Sequence, residues 1–196
     1  MTELHLPETC LVVLVGATGS GKSTFAARHF RPTEVVSSDR MRGFVSDDET
    51  DQSATVAAFD VLHTIVRKRL ERGLLTVVDA TNVEAEARRS LIQIARELHV
   101  FAVAVVFDVP ERLCIDRNQQ RPERIGVPAH VVRTHSAKLR RSLKTLRDEG
   151  FRFVRHLTEV DDLTVVRDPL WTNRKHVRGP FDLVGDVHGC YDELCA

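Results

Sequence analysis

"GATGSGKST" occupies residues 16–24, directly after the apolar run "CLVVLVG" (10–16). It satisfies G-x-x-x-x-G-K-[ST] at Gly16, Gly21, Lys22 and Ser23, a pattern that specifies a phosphate-binding turn between a buried strand and a helix. The glycines let backbone N–H groups point inward at phosphate oxygens, and the helix N-terminus adds its partial positive charge. Gly19, Ser20 and Thr24 complete the expected nucleotide-binding set. Lys22 is expected to bridge the β- and γ-phosphates, with the Ser23 hydroxyl on Mg²⁺. The stretch predicts a domain that binds a nucleoside triphosphate.

Apolar segments of the same kind recur at "EVVSS" (34–38), "LLTVVDA" (74–80), "VFAVAVVFDV" (100–109) and "FRFVRHL" (151–157). The longest lack polar alternation, as strands do when both faces of a parallel sheet are covered. Helical stripes lie between them: Phe59, Leu62, Val66 and Leu70; Leu91, Ile94 and Leu98; Val132, Leu139, Leu143 and Leu146. Alternating units of this length predict an α/β fold of the P-loop phosphotransferase kind, a parallel β-sheet flanked by helices. "TEVDDLTVVRDPLW" (158–171) reads as one short helix ended before Pro169. The domain is expected to fill residues 1–170, followed by a linker over 171–180 that carries the polar "TNRKHVRGP" (172–180).

Composition narrows the class further. The 196 residues suit one domain with a substantial core. Lys and Arg number 28, as do Asp and Glu, so polyanion binding has to come from local arginine placement. Cys10, Cys114, Cys190 and Cys195 have neither zinc-like nor redox spacing and read as small hydrophobes in a reducing compartment. The N-terminus has no basic region and no span-length apolar run, so no signal peptide or membrane segment is expected and a cytoplasmic location is the default.

Where the γ-phosphoryl goes depends on residues at other strand ends. No "DxxG" follows a strand and no "NKxD" occurs, which argues against a GTPase. "SSDRMR" (37–42) closes the second strand, and an Asp at that point faces the same crevice as the phosphate loop. Asp39 is placed to act as general base on an attacking hydroxyl, and Arg42 to pair with an anionic group of the acceptor. The other reading is a helix N-cap beside a surface arginine. "CIDRNQQRPERIG" (114–126) has the character of a helical lid, with Arg117 and Arg121 four residues apart to neutralise phosphate charge; a solvated helix face gives the same pattern. In "DATN" (79–82), Asp79 is a candidate to hold a metal-bound water, and Asn82 either orients substrate or caps the next helix. The basic residues over 130–147 read as a solvated helix face.

Together these residues resemble the 5′-kinase domain of bacterial polynucleotide kinase–phosphatase, an end-healing enzyme of RNA repair. The resemblance runs through "LVVLVGATGSGKSTFA", "EVVSSDRMRGFVSDDETDQ", "AAFDVLH", "LTVVDATNV", "AVAVVFDVPE" and "DEGFRFV". It implies ATP-dependent, Mg²⁺-requiring phosphorylation of the 5′-hydroxyl ends of RNA or DNA, healing them for ligation. By the same resemblance, Lys22 and Ser23 serve the triphosphate and its metal, and Asp39 is the general base. Arg42 contacts the phosphate next to the reacting nucleotide, and Arg117 and Arg121 are catalytic lid arginines. A homodimer is an expectation, as are an RNA ligase and its repair machinery as partners. The family's metallophosphoesterase domain begins with GDxHG, present here as "GDVHG" (185–189), so residues 181–196 resemble the truncated start of that domain. Asp186 and His188 would ligate Mn²⁺ or a similar ion only in an intact phosphatase domain, and these residues alone predict no phosphatase activity. The competing readings are a P-loop kinase of a small-molecule hydroxyl and a non-catalytic ATP-binding module.

Overall fold

The computed structural model describes residues 2–120, 127–158, 163–174 and 177–180. The chain runs β1 (Thr2–Pro7), β2 (Leu11–Gly16), α1 (Lys22–His29), β3 (Val35–Ser37), α2 (Ser38–Ser46), α3 (Thr55–Glu71) and β4 (Thr76–Asp79). It continues through α4 (Ala85–Glu97), β5 (Ala102–Phe107), α5 (Glu111–Gln119), α6 (Ala129–Ser142), β6 (Phe153–Leu157) and β7 (Leu163–Asp168). Five strands form a parallel sheet in the order β3-β4-β2-β5-β6. β2, β4 and β5 are buried along their whole length. Alternate side chains explain why: Leu11, Val13 and Val15 pack with Leu62 and Val66 of α3 and Leu91 of α4. Val12 and Leu14 face the other way, onto Phe25 and Phe30 and onto Leu4 and Leu6 of β1. A strand with two dry faces has no room for polar alternation. The expected P-loop α/β architecture is the one observed.

Two elements depart from the sequence reading. The segment read as a helix over 158–171 contains β7, which pairs in parallel with β1 from Thr2↔Leu163 to Pro7↔Asp168. Its Thr164, Val165 and Val166 are β-branched, so a helix would restrict their χ1 rotamers, and β1 supplies a full set of backbone partners. β1 itself has the half-buried pattern of such a strand: Leu4 and Leu6 are buried while Glu3 and His5 are exposed. Helix α6 ends at Ser142, yet Leu143 and Leu146 of the same stripe still reach the core from the turns that follow.

The two-stranded sheet is pinned to the larger one by charge. Arg167 of β7 donates to both carboxylate oxygens of Glu34, at 2.8 and 2.7 Å, just before β3. Burial pushes the Glu34 carboxyl up, but the Arg167 hydrogen bonds and charge, with help from Arg31, bring it below its ordinary range. A depressed carboxyl contributes stability above its unfolded pKa and loses that contribution as pH falls through the folded value. Past β7 the chain stays tied down, because Glu8 Oε1 accepts from Leu170 N at 3.2 Å and from Asn173 Nδ2 at 2.6 Å. Arg167→Ala should lower stability at neutral pH by about 1 kcal/mol, the modest value fitting a half-exposed arginine. Denaturant melts should show the gap between parent and variant narrowing as pH drops from about 5 to about 3.

Candidate active site

Parallel pairing brings the C-terminal ends of all five strands to one edge, where open α/β sheets hold ligands. β2 ends at Gly16, whose N–H donates to Thr81 O at 2.9 Å, so the chain leaving β4 borders the loop entrance. The strand register sets Ser37 beside Asp79. Gly19 and Gly21 have φ of 83° and 94°, a left-handed backbone that strains any residue with a Cβ. At Gly19 the missing side chain also makes room for a neighbour: a Cβ there would overlap the carbonyl oxygen of Cys114 on α5. Helix α5 is therefore docked directly on the phosphate loop. Gly21 is the N-cap of α1, which leaves Ser23 and Thr24 exposed on the first helical turn.

Lys22 spans the loop mouth, its Nζ donating to Gly16 O at 2.9 Å and Ala17 O at 2.8 Å. Ser20 is fully buried, with its hydroxyl 3.4 Å from the same nitrogen. Arg117 on α5 reaches over Gly21, placing Nη1 3.7 Å from where a Cβ would stand. Arg117 lies in the last turn of α5, which ends at Gln119. Arg121 lies outside the described residues, as do Asp186 and His188.

Two strands from the loop, α2 begins as β3 ends, and its N-cap is Ser37, whose hydroxyl accepts from Arg40 N at 3.5 Å. Asp39 is thus in the first turn and not the cap. Arg42 is no surface residue: it is buried, donates from Nε to Glu49 O at 2.8 Å, and forms an ion pair with Asp39. The structure brings together Lys22, Arg117 and the loop glycines at one station, and Asp39 with Arg42 at another along the same edge. Asp79 is buried at the end of β4.

Asn82 is not the helix cap that one reading made it. It is 2% exposed, adopts φ of 47°, and donates from Nδ2 to Leu14 O at 2.9 Å, while the N-cap of α4 is Glu84. Its Nδ2 is committed to the β2 backbone and its Oδ1 is buried without a hydrogen-bond partner, so it is not the cap of α4. Along α6, Arg133 and Arg140 lie 3.9 and 3.5 Å from Glu111, and Lys138 pairs with Glu84, as suits a helix face bathed in solvent.

One residue beside the loop escaped the sequence reading. His135 of α6 lies with Nδ1 3.2 Å from Thr18 Oγ1, at the tip of the phosphate loop. The signal was present: the α6 stripe leaves an interval of seven between Val132 and Leu139, and His135 falls in that gap, on the buried side. The two described cysteines are packing groups. Burial raises the Cys10 thiol to about 12 and pushes Cys114 up as well, the latter partly offset by the charges of Lys22 and Arg117. Among the described residues, no three His, Cys, Asp or Glu side chains form a metal cage, and no helix is long and apolar enough to cross a membrane.

The Cys114–Gly19 contact is testable. Gly19→Ala should abolish nucleotide binding in a calorimetric titration and lower the melting temperature. Gly73→Ala, at φ of 67° with nothing within 4 Å, should cost only the backbone strain of about 1–2 kcal/mol. Equal effects at the two positions would show that the close approach of α5 is unimportant.

Comparison with solved structures places this arrangement among known folds. A chain of the Pnkp1/Rnl/Hen1 RNA repair complex superposes with a TM-score of 0.61 at 26% identity, over 72% of this chain and 47% of that one. A chain of the AvrRxo1-ORF1:-ORF2 complex gives a TM-score of 0.60 at 20% identity, over 78% of this chain and 56% of its own length. A putative kinase from Chloroflexus aurantiacus gives 0.52 at 13%, over 77% and 89%. This chain thus spans about half the length of the first two. No curated protein matches it. The AAA domain family matches residues 11–146, from the first residue of β2 to the turns after α6. On that match and this architecture, the chain belongs to the AAA domain family and carries a P-loop fold of the kinase type.

Proposed function

We propose that this chain transfers the γ-phosphate of ATP to the 5′-hydroxyl end of RNA or DNA. The observation that carries the reading is the Asp39–Arg42 pair, a carboxylate and a buried guanidinium two strands over from the phosphate loop. The 26% identity with a chain of an RNA repair complex supports the choice of a polynucleotide over a small-molecule acceptor.

In this reading the triphosphate lies in the loop, with Lys22 turned from the Gly16 and Ala17 carbonyls to the β- and γ-phosphates. Arg117 over Gly21, with Arg121, adds positive charge where charge develops in the transition state. Asp39 accepts the proton of the 5′-hydroxyl as its oxygen bonds to the γ-phosphorus. The bond to the β,γ-bridging oxygen breaks, and ADP leaves. Arg42 is held by the Glu49 carbonyl, so its remaining N–H groups are pre-set for the phosphodiester beside the reacting nucleotide. The residues also fit Mg²⁺: the exposed Ser23 hydroxyl offers a direct ligand beside Lys22, and the Asp79 carboxylate a contact through water. When bound, that ion neutralises phosphate charge. The "GDVHG" stretch supports a longer enzyme in which a phosphatase domain follows this one. A homodimer and a partnership with RNA ligase belong to the same proposal.

The test is transfer from labelled ATP to a 5′-OH oligoribonucleotide, with a nucleoside and a small polyol as rival acceptors. Asp39→Ala should lower kcat by about 10²–10⁴-fold and leave calorimetric ATP binding near the parent value. Phosphorylation of only the small acceptors would overturn the polynucleotide reading, and a fully active Asp39→Ala variant would remove the general base.

A further inference from the structure

Helix α6 brings a polar side chain to the phosphate loop. His135, 117 residues from Thr18 in sequence, places Nδ1 3.2 Å from the Thr18 hydroxyl oxygen. The contact is partly buried, and the helix is held against the sheet on either side of it by buried Val132 and Leu139. α6 is also fixed to the segment before α4, because Ser142 Oγ donates to Val83 O at 2.5 Å and Lys138 pairs with Glu84. The charged groups that act on the ring come from three elements: Lys22 of α1, Glu84 before α4, and Lys138 on α6 itself. His135 therefore touches the loop hydroxyl and lies within the electrostatic reach of the lysine that serves the phosphates.

A neutral imidazole has one donor and one acceptor nitrogen. While Nδ1 accepts, the Thr18 proton points at the ring and only lone pairs of Oγ1 face outward. When Nδ1 carries a proton, it donates to Oγ1, and the Thr18 O–H turns away from the ring as a donor. The two arrangements present opposite polarity to a phosphate oxygen.

We propose that His135 is a positioning residue of the phosphate loop, which sets the direction of the Thr18 hydroxyl and supplies a donor there when a triphosphate arrives. The inference rests on the nucleotide-binding reading above and extends it to a residue outside the loop motif. Burial chiefly, with Lys22 and Lys138, lowers the proton affinity of the ring, against a smaller opposing pull from Glu84. Bound phosphates offset the Lys22 charge and favour the protonated ring. Nucleotide binding then takes up a proton, so affinity rises as pH falls and is lost as pH climbs through the pKa of the bound state.

The test is calorimetric titration with ATP in buffers of different ionisation enthalpy, between about pH 6 and about pH 8, on the full chain and two variants. Thr18→Val should weaken ATP binding about tenfold, the loss of one charge-assisted hydrogen bond. His135→Asn should remove the part of the proton uptake that exceeds the nucleotide's own. Combined with Thr18→Val it should add no further loss, since His135 acts through that hydroxyl. Equal proton uptake in parent and His135→Asn, or additive losses in the double variant, would overturn the proposal. No acceptor is present in this titration, so a failure to phosphorylate 5′-OH ends would sink the kinase reading and leave this readout intact.

Discussion

A guanidinium with no exposure to solvent holds the working edge of this sheet together. Arg88 reaches from α4 to Asn82 O at 2.6 Å and to both carboxylate oxygens of Glu149, at 2.7 and 2.5 Å. Asn82 in turn donates to Leu14 O, in the strand that feeds the phosphate loop. One desolvated ion pair thus joins β2, the segment after β4 and the turns after α6. Such pairs add little net stability, because removing two charges from water costs about what their attraction returns. The value of this one is positional. It sets the height of α6 against the sheet, and that height decides whether a side chain from α6 can touch the loop at all.

From that edge the chemistry divides by charge. Backbone groups, Lys22 and Arg117 are gathered where phosphates belong, all within reach of α1 and α5. A carboxylate and a second guanidinium are gathered two strands away, on α2. The two stations are kept apart by β4, and its Asp79 lies between them. An all-parallel sheet makes this economical, because each new strand end adds a functional position to the same line without any loop having to travel.

The parts of this arrangement that were legible in the sequence are those whose cause is local. Gly19 and Gly21 have a left-handed backbone imposed by the turn they sit in, so the loop declares itself. β2, β4 and β5 do so as well, because burial on both faces leaves an apolar run. β7 was misread since its pattern is that of a short polar-flanked segment, and its partner lies at the other end of the chain. The "ELHL" alternation of β1 was the available clue, with Leu4 and Leu6 inward. Asn82 was placed at a helix start because Asn favours caps, whereas tertiary contact with Leu14 decided its role. The spacing of the α6 stripe puts His135 on the buried side of its helix, but its contact with Thr18, 117 residues away, is tertiary and has no local signal.

The pairing of β1 with β7 also bears on how the chain reaches its native state. Residues 2–7 find their partners only at 163–168, so that contact closes a loop of most of the chain. The entropy of closing such a loop grows only slowly with its length, yet contacts of this separation form late on average. During synthesis β1 waits for β7, with Leu4 and Leu6 uncovered until the central sheet has assembled. Those two leucines are the stretch where a chaperone would be most useful, and an edge exposed for that long favours partners of the wrong kind.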